Sequence, residues 1–220
     1  MKNLLCIKNK SFLVLLTLCL TTAFFLGAQA HAALKMTLDD GINSIVTVED
    51  GGPNDSIPTA GAVGFNDPIG NFSAIIMTGL SKPIIGAPNS VRIQLGGVAT
   101  SNGPGTLVIQ LTDTDFGPFP NQSTDGVTLT NSFGGTSNGP VTAQGYLDPA
   151  NLEFANTLTT GLQGPLGPGA FDDSVSNTVY PPADGQPFSL SETVTITHNG
   201  AGLVSSFSKV LEASSDSVCT

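Results

Sequence analysis

The stretch "TLVIQLT" (residues 106–112) decides the fold of this chain. Its large aliphatic residues Leu107, Ile109 and Leu111 recur with a period of two, which places them together on one face of a β-strand. The same alternation recurs in three other stretches, at residues 91–95, 127–130 and 193–197. We therefore expect strands that each have one buried and one solvated face.

Further short apolar runs alternate with turn signals such as Asp50-Gly51 and Asn102-Gly103. These runs are residues 35–38, 44–48, 62–65, 72–78, 141–146, 175–180 and 207–211. Many short strands and no strong helical pattern predict an all-β protein, a single antiparallel β-sandwich of jelly-roll-like form. The Gly- and Pro-rich stretch over residues 147–171 is expected to be a long loop with a helical turn near residues 149–154.

The N-terminus has the form of a cleaved secretory signal peptide. Lysines precede an uncharged apolar segment, residues 11–27, and a small-residue cleavage site follows at Ala30-His31-Ala32. We therefore predict a signal peptide over residues 1–32, the β-sandwich domain over 33–212 and a flexible tail over 213–220. The protein is expected to be exported by the general secretory pathway and secreted, or retained in the periplasm or at the cell surface, with no membrane span in the mature chain.

The chain is acidic, with a formal net charge of −10. Cleavage after residue 32 would leave four basic and 17 acidic residues, a net charge of −13. Nucleic-acid binding is excluded because it needs clustered Lys and Arg. Cys6 and Cys19 leave with the signal peptide, so Cys219 predicts either a free thiol or an intermolecular disulfide.

One short motif raises the question of catalysis. Gly135-Thr136-Ser137-Asn138-Gly139 fits the G-x-S-x-G pattern of a hydrolase nucleophile. That nucleophile needs a helix directly after the serine, whereas Pro140 leads into a strand-like run. "TSNGP" also occurs at residues 100–104 without the first glycine of the motif, and both copies are interpreted as turns. His198 is interpreted as a surface residue at a strand end, so a secreted hydrolase is the weakest hypothesis.

Acidic turns are the better candidates for a binding site. Ca²⁺ takes several hard oxygen ligands, and secreted β-sandwiches gather such ligands from loops. No EF-hand spacing is present, so ordinary solvated turn carboxylates are the alternative. The candidate calcium ligands are Asp39, Asp40, Asp50, Asp55, Asp113 and Asp115. No other cofactor is expected.

Carbohydrate binding is a further alternative, although the chain is poor in the aromatic platforms that bind sugars. It has no tryptophan, and Tyr146 and Tyr180 are its two tyrosines. Phe116 and Phe119, in "DFGPFP", are the candidates for exposed phenylalanines, while the other phenylalanines of strand-like stretches are expected in the core.

Four stretches of the mature chain resemble secreted bacterial proteins that carry a PEP-CTERM sorting tail. They are "LKMTLDDGINSIVTVEDGG" (34–52), "GAVGFNDPIGNFSAIIMTGLSKP" (61–83), "LTDTDFGP" (111–118) and "TVTITHNGAG" (193–202). The resemblance implies a β-rich exported domain of the cell envelope or extracellular matrix and no catalytic residue. A sorting tail has Pro-Glu-Pro, an apolar helix and a basic end, whereas residues 209–220 read "KVLEASSDSVCT". We therefore expect a released protein or a truncated chain.

The leading hypothesis is an exported, non-enzymatic structural protein of the matrix or envelope, with extracellular matrix or polysaccharide as its partner. A calcium-dependent or carbohydrate-binding adhesin-like module is the alternative.

Overall fold

The computed structural model describes residues 34–215. The predicted signal peptide, Cys219 and most of the predicted tail lie outside this range. The described residues form antiparallel strands and no helix. The strands are β1 (Lys35–Asp39), β2 (Val46–Glu49), β3 (Ala62–Phe65), β4 (Phe72–Leu80), β5 (Ser90–Asn102), β6 (Gly105–Phe116), β7 (Val127–Ser137), β8 (Val141–Asp148), β9 (Leu158–Leu166), β10 (Gly169–Val179), β11 (Phe188–His198) and β12 (Ala201–Ser214).

The strands form two six-stranded sheets. Sheet I has the order β2-β1-β6-β11-β8-β9, and sheet II has the order β10-β7-β12-β5-β4-β3. The inner faces of the two sheets share one hydrophobic core, so the predicted all-β sandwich is confirmed. Over residues 34–215, no helix is long and apolar enough to cross a membrane.

The core is built by the alternation that the sequence shows. Leu107, Ile109 and Leu111 on β6 are fully buried. Val194 lies opposite Ile109 in the register of β6 and β11, and Ile196 lies opposite Leu107. Burying each such side chain contributes about 1.5–3 kcal/mol, so these central strands of sheet I supply much of the stability.

Three connections between the sheets meet at one end of the sandwich. β5 passes to β6 at Gly103-Pro104, β7 to β8 at residues 138–140, and β11 to β12 at Asn199-Gly200. The end of β11 lies beside the start of β6, because His198 is the register partner of Gly105. Both "TSNGP" copies therefore lie where the chain passes from sheet II to sheet I, with turns at Gly103-Pro104 and at residues 138–140. The interpretation of Ser137 as a turn residue is wrong, because it is the last residue of β7.

The stretch predicted as a long loop contains two strands instead. β9 lies within it, and β10 begins at its end. These are the edge strands of the two sheets, where the missing N–H of Pro165 interrupts no ladder between two neighbours. The helical turn expected near residues 149–154 is also absent, since Asn151 and Phe154 have positive φ angles. At the C-terminal end, β12 continues past the predicted boundary at residue 212, and Ala213 is fully buried.

A charge at the centre of β6 tests this arrangement. Ile109→Asp is expected to lower the free energy of unfolding by about 3–5 kcal/mol, because it places an unpaired carboxylate between the sheets. Gln110→Asp, on the outer face of the same strand, is the matched control and should change stability by less than about 1 kcal/mol. Urea unfolding of both variants is the measurement. Equal losses would show that the two faces of β6 are wrongly assigned.

Candidate functional site

The first acidic turn, which follows β1, is held by its own carboxylates. Asp39 Oδ1 accepts a hydrogen bond from Gly41 N at 2.8 Å. Asp40 accepts hydrogen bonds from the backbone N–H groups of Ile42 and Asn43 and from the Asn43 side chain. Burial acts to raise the pKa of Asp40, but these hydrogen bonds outweigh it and hold the pKa below its usual value. Both carboxylates therefore cap the turn.

The second acidic turn follows β2 and is organised in the same way. Asp50 Oδ2 accepts a hydrogen bond from Gly61 N at 2.7 Å. Asp55 accepts hydrogen bonds from the N–H groups of Gly51, Ile57 and Gly64. The two carboxylates fix the path of the chain from β2 to β3, and their oxygens are engaged by backbone donors.

The two aspartates at the end of β6 lie in different surroundings. Asp113 is fully buried and accepts hydrogen bonds from Ser81 Oγ at 2.5 Å and Lys82 Nζ at 3.0 Å. Burial raises the pKa of Asp113 and outweighs the opposing effect of Lys82. Asp115 is exposed, and its carboxylate accepts a hydrogen bond from Asn151 Nδ2 at 2.7 Å. These carboxylates do not share one site.

The six candidate aspartates thus do not converge on one point. Over residues 34–215, no group of three His, Cys, Asp or Glu side chains is arranged to hold a metal ion. Calcium binding by these residues stays a prediction from the sequence, without a coordination site in the described part of the chain.

Calcium dependence has a direct test. Thermal midpoints of the protein in millimolar calcium and in chelator are expected to be equal, because backbone and side-chain donors already engage the six carboxylates. A specific site at about 100-fold excess of calcium over Kd would stabilise the native state by about 2.7 kcal/mol. A higher midpoint in calcium than in magnesium at the same ionic strength would contradict this expectation.

The residues of the hydrolase-like motif lie at the end of the sandwich where the sheets are connected. His198 is 1% exposed, so its interpretation as a surface residue is wrong. Its Nδ1 lies 2.9 Å from Ser101 Oγ and its Nε2 lies 2.8 Å from Ser205 Oγ. Ser205 Oγ lies 2.5 Å from Ser137 Oγ, which also bonds to the backbone of Gly139. One hydrogen-bonded chain therefore links β5, β7, β11 and β12.

This cluster, which we call the end cluster (Ser101, Ser137, His198, Ser205), has a structural role. All four residues are at most 3% exposed, so a substrate could reach them only if the sandwich opened. Ser101 Oγ donates to Gly200 O, which leaves Ser101 Oγ as an acceptor for a proton on His198 Nδ1. Burial lowers the pKa of His198, which favours the neutral ring.

The end cluster predicts a pH dependence of stability. Because the folded pKa of His198 is below its ordinary 6.5, its stabilising contribution is complete above that pH and is lost as the pH falls. The stability difference between the wild type and His198→Asn should therefore shrink on going from about pH 8 to about pH 5.5, by at most about 1.4 kcal/mol per pH unit. Urea unfolding at several pH values measures it. A difference independent of pH would contradict a buried neutral histidine.

A cleft of about 540 Å³ lies between the β4–β5 and β6–β7 loops. Its lining is mostly apolar and includes four prolines, with Lys82, Asn89 and Asp115 as its polar side chains. Lys82 is engaged by Asp113 and by Thr114 O, and its Nζ lies 4.1 Å from the centre of the Phe116 ring. Asp115 also accepts a hydrogen bond from Asn151. Because Lys82 and Asp115 are both engaged by other protein groups, this cleft offers few groups that could orient a polar ligand.

The aromatic residues expected to be exposed beside this cleft are buried. Phe116 is 2% exposed and Phe119 is 1% exposed, so that expectation is wrong. Both rings pack on Phe188, with centroids 6.2 Å and 5.4 Å from it. Phe119 in the β6–β7 loop packs on Phe188 at the start of β11, which local sequence could not reveal because Phe188 lies far along the chain.

The outer face of sheet I carries an aromatic ring among hydroxyl and amide groups. We call it the Tyr146 face, and its residues are Thr142, Gln144, Tyr146, Leu162, Thr193 and Thr195. Together with Ala143 they line a shallow depression of about 100 Å³, and none of them is charged. Tyr146 is half-buried, and burial raises the pKa of its phenol, so the ring is neutral at physiological pH.

Strand register fixes the positions of these side chains. Thr193 lies opposite Gln110 on one side and Gln144 on the other, and Gln144 lies opposite Leu162. Gln144 Nε2 donates to Thr159 Oγ1 at 2.8 Å, and Gln110 Nε2 donates to Thr193 Oγ1 at 3.3 Å. The carbonyl oxygens of Gln110 and Gln144 can still accept hydrogen bonds, so these side chains can bind the hydroxyl groups of a ligand.

The β8–β9 loop borders this face at one end. Phe154 N donates to Thr112 Oγ1 at 3.2 Å, and Ser189 Oγ donates to Leu152 O at 2.7 Å, so the loop is fastened across β6 and β11. Glu153 in the same loop pairs with Lys35 on β1 at 3.0 Å. These contacts hold the β8–β9 loop against the outer face of sheet I.

No protein-family model matches the chain, and no curated protein matches it. Among solved structures, it is similar to the enzymatically active domain of bacteriophage CBA120 tailspike protein 4, at 10% identity and a TM-score of 0.30, over 64% of this chain and 19% of that one. TmCBM61, solved with β-1,4-galactotriose, is 7% identical, with a TM-score of 0.31, over 62% and 86%. A cyclase from Fischerella sp. TAU is 10% identical, with a TM-score of 0.35, over 74% and 88%. Similarities this low carry no functional argument.

Proposed function

We propose that this chain is an exported, non-enzymatic β-sandwich module that binds a neutral polysaccharide through the Tyr146 face. The observation that carries the proposal is the half-buried Tyr146 ring beside Gln144, Thr193 and Thr195 on the outer face of sheet I. The C–H face of a sugar ring packs against an aromatic ring, while amide and hydroxyl groups bind its hydroxyls. Leu162 is 64% exposed and adds apolar surface beside the ring.

The charge distribution favours a neutral ligand. No lining residue of the Tyr146 face is charged. The chain as a whole has a formal charge of −10, so its field repels acidic polymers. A neutral glycan is not repelled, and its binding removes no unpaired charge from water. An anionic glycan would find no basic partner on this face.

The Tyr146 face supports binding rather than hydrolysis. Glycoside hydrolysis needs two carboxyl groups on either side of the scissile bond. The residues that line the depression include neither aspartate nor glutamate. Export follows from the N-terminal sequence, and attachment to a glycan-containing matrix or envelope is consistent with that destination.

The two tyrosines of the chain give a matched test. Tyr146→Ala is expected to weaken binding to a neutral polysaccharide about tenfold, which corresponds to about 1.4 kcal/mol, because it removes the stacking ring. Tyr180, 59% exposed and outside the Tyr146 face, supplies the control variant Tyr180→Ala, which should bind like the wild type. Affinity electrophoresis through gels that contain mannan, a neutral β-glucan or polygalacturonate measures both.

The proposal fails if neither neutral polymer retards the wild type, or if Tyr146→Ala is retarded as strongly as the wild type. Stronger retardation by polygalacturonate than by the neutral polymers would overturn the neutral-ligand assignment. Release of reducing ends from either neutral polymer by the purified protein would overturn the non-enzymatic assignment.

A further inference from the structure

A lysine and a glutamate face each other in the middle of the core. Lys209 on β12 and Glu192 on β11 are both 0% exposed, and Lys209 Nζ lies 2.8 Å from Glu192 Oε2. They join the central strands of the two sheets. Removing two charges from water costs several kcal/mol per ion, so a pair at this position needs an explanation other than stability.

A carboxamide lies beside this pair. Asn131 on β7 is opposite Leu211 in the register of β7 and β12, two residues from Lys209 on the same inner face. Diagonal neighbours of this kind lie about 7–8 Å apart between Cα atoms, within the reach of a lysine side chain. Asn131 is also 0% exposed, and its Nδ2 donates to Gln163 Oε1. The register of β7 and β12 thus places the carboxamide of Asn131 within reach of the Lys209 amine, which is paired with the carboxyl group of Glu192.

The hydrogen-bonding capacity of this group is incomplete. Among the described residues, the buried side-chain atoms without a partner include Glu192 Oε1, Asn131 Oδ1 and Gln163 Nε2. Native cores rarely leave such atoms unpaired, so each of them needs an explanation. Here the unpaired carbonyl of Asn131 belongs to the group that an amine would attack.

Burial shifts the pKa values of the two ionisable groups in opposite directions. It raises the pKa of Glu192 to about 7, against the opposing effect of Lys209. It lowers the pKa of Lys209, against the opposing effect of Glu192. Burial therefore favours the neutral forms of both groups, a nucleophilic amine beside a carboxylic acid.

We propose that Lys209 Nζ and Asn131 Cγ form an intramolecular isopeptide bond, with Glu192 as the proton carrier. The lone pair of Nζ attacks Cγ while the acid proton of Glu192 moves to Oδ1. The carboxylate takes one proton from Nζ and delivers it to Nδ2. The Cγ–Nδ2 bond then breaks, ammonia leaves, and Oδ1 returns its proton to Glu192. The amine and the carboxamide become a secondary amide and ammonia, and Glu192 is unchanged.

The surroundings favour the product. Phe133 lies directly opposite Lys209, and its ring centroid lies 6.0 Å from that of Phe207, so aromatic side chains keep water from the site. The bond would join β7 to β12, two neighbouring interior strands of sheet II. Residues 34–215 contain no cysteine, so an amide cross-link would give this exported domain the covalent constraint that a disulfide gives others.

The intact mass of the purified wild-type protein tests the proposal. We expect it to fall below the sequence mass by one ammonia. Lys209 is the one lysine or arginine after Arg92, so trypsin acting on the unfolded chain should fail to cut after Lys209. Because residues 131 and 209 lie in the same tryptic peptide, a further digestion at Glu153 and Glu192 should leave the segments that contain them joined. An unchanged mass with normal cleavage after Lys209 overturns the proposal.

Three variants test which residues take part in the proposed bond. Asn131→Ala and Glu192→Gln should both keep the full sequence mass, whereas Gln163→Ala, the matched control, should still lose ammonia. Loss of water in the wild type would mean a bond to Glu192, and loss of ammonia that persists in Asn131→Ala would mean Gln163 as the acceptor. Either result overturns the assignment to Asn131. Circular dichroism confirms that each variant folds, and the wild-type mass decides the question if one does not.

Discussion

The burial of the inner faces of two antiparallel sheets against each other is the constraint on which the rest of this structure depends. Because side chains alternate along a strand, filling the space between the sheets fixes the orientation of every outward residue as well. On β8, the burial of Ala143 and Leu147 is what places Gln144 and Tyr146 on the outer face. The candidate binding surface is thus a consequence of how the core packs.

The space between the two sheets also contains buried polar groups. Where the chain crosses between the sheets, the ends of its strands cannot all reach water, so the end cluster of serines around His198 supplies hydrogen bonds inside the protein. Between the middles of β11 and β12, Glu192 and Lys209 are paired with each other. The side chains of the end cluster hydrogen-bond to one another and have a structural role. The group around Lys209 and Glu192 leaves Glu192 Oε1 and Asn131 Oδ1 without partners, and it is there that we propose a cross-link.

Local sequence predicted the features that depend on periodicity alone. The burial of Leu107, Ile109 and Leu111 and the strand at residues 207–211 are of this kind. β9 was missed because glycine and proline usually mark loops, and only its position at a sheet edge makes them tolerable. The burial of His198 and the neighbours of Tyr146 depend on pairing between distant strands, which one sequence does not reveal. The sequence does indicate that Lys209 is buried, because it alternates with the apolar residues Phe207 and Leu211.

The proposed ligand-binding surface is an outward face made by core packing. Backbone NMR spectra recorded during titration with a soluble neutral oligosaccharide test it most directly, because they locate contacts without altering the protein. We expect shift changes to concentrate at Gln144, Tyr146, Thr193 and Thr195. Changes concentrated instead at the loop cleft around Asn89 would contradict it.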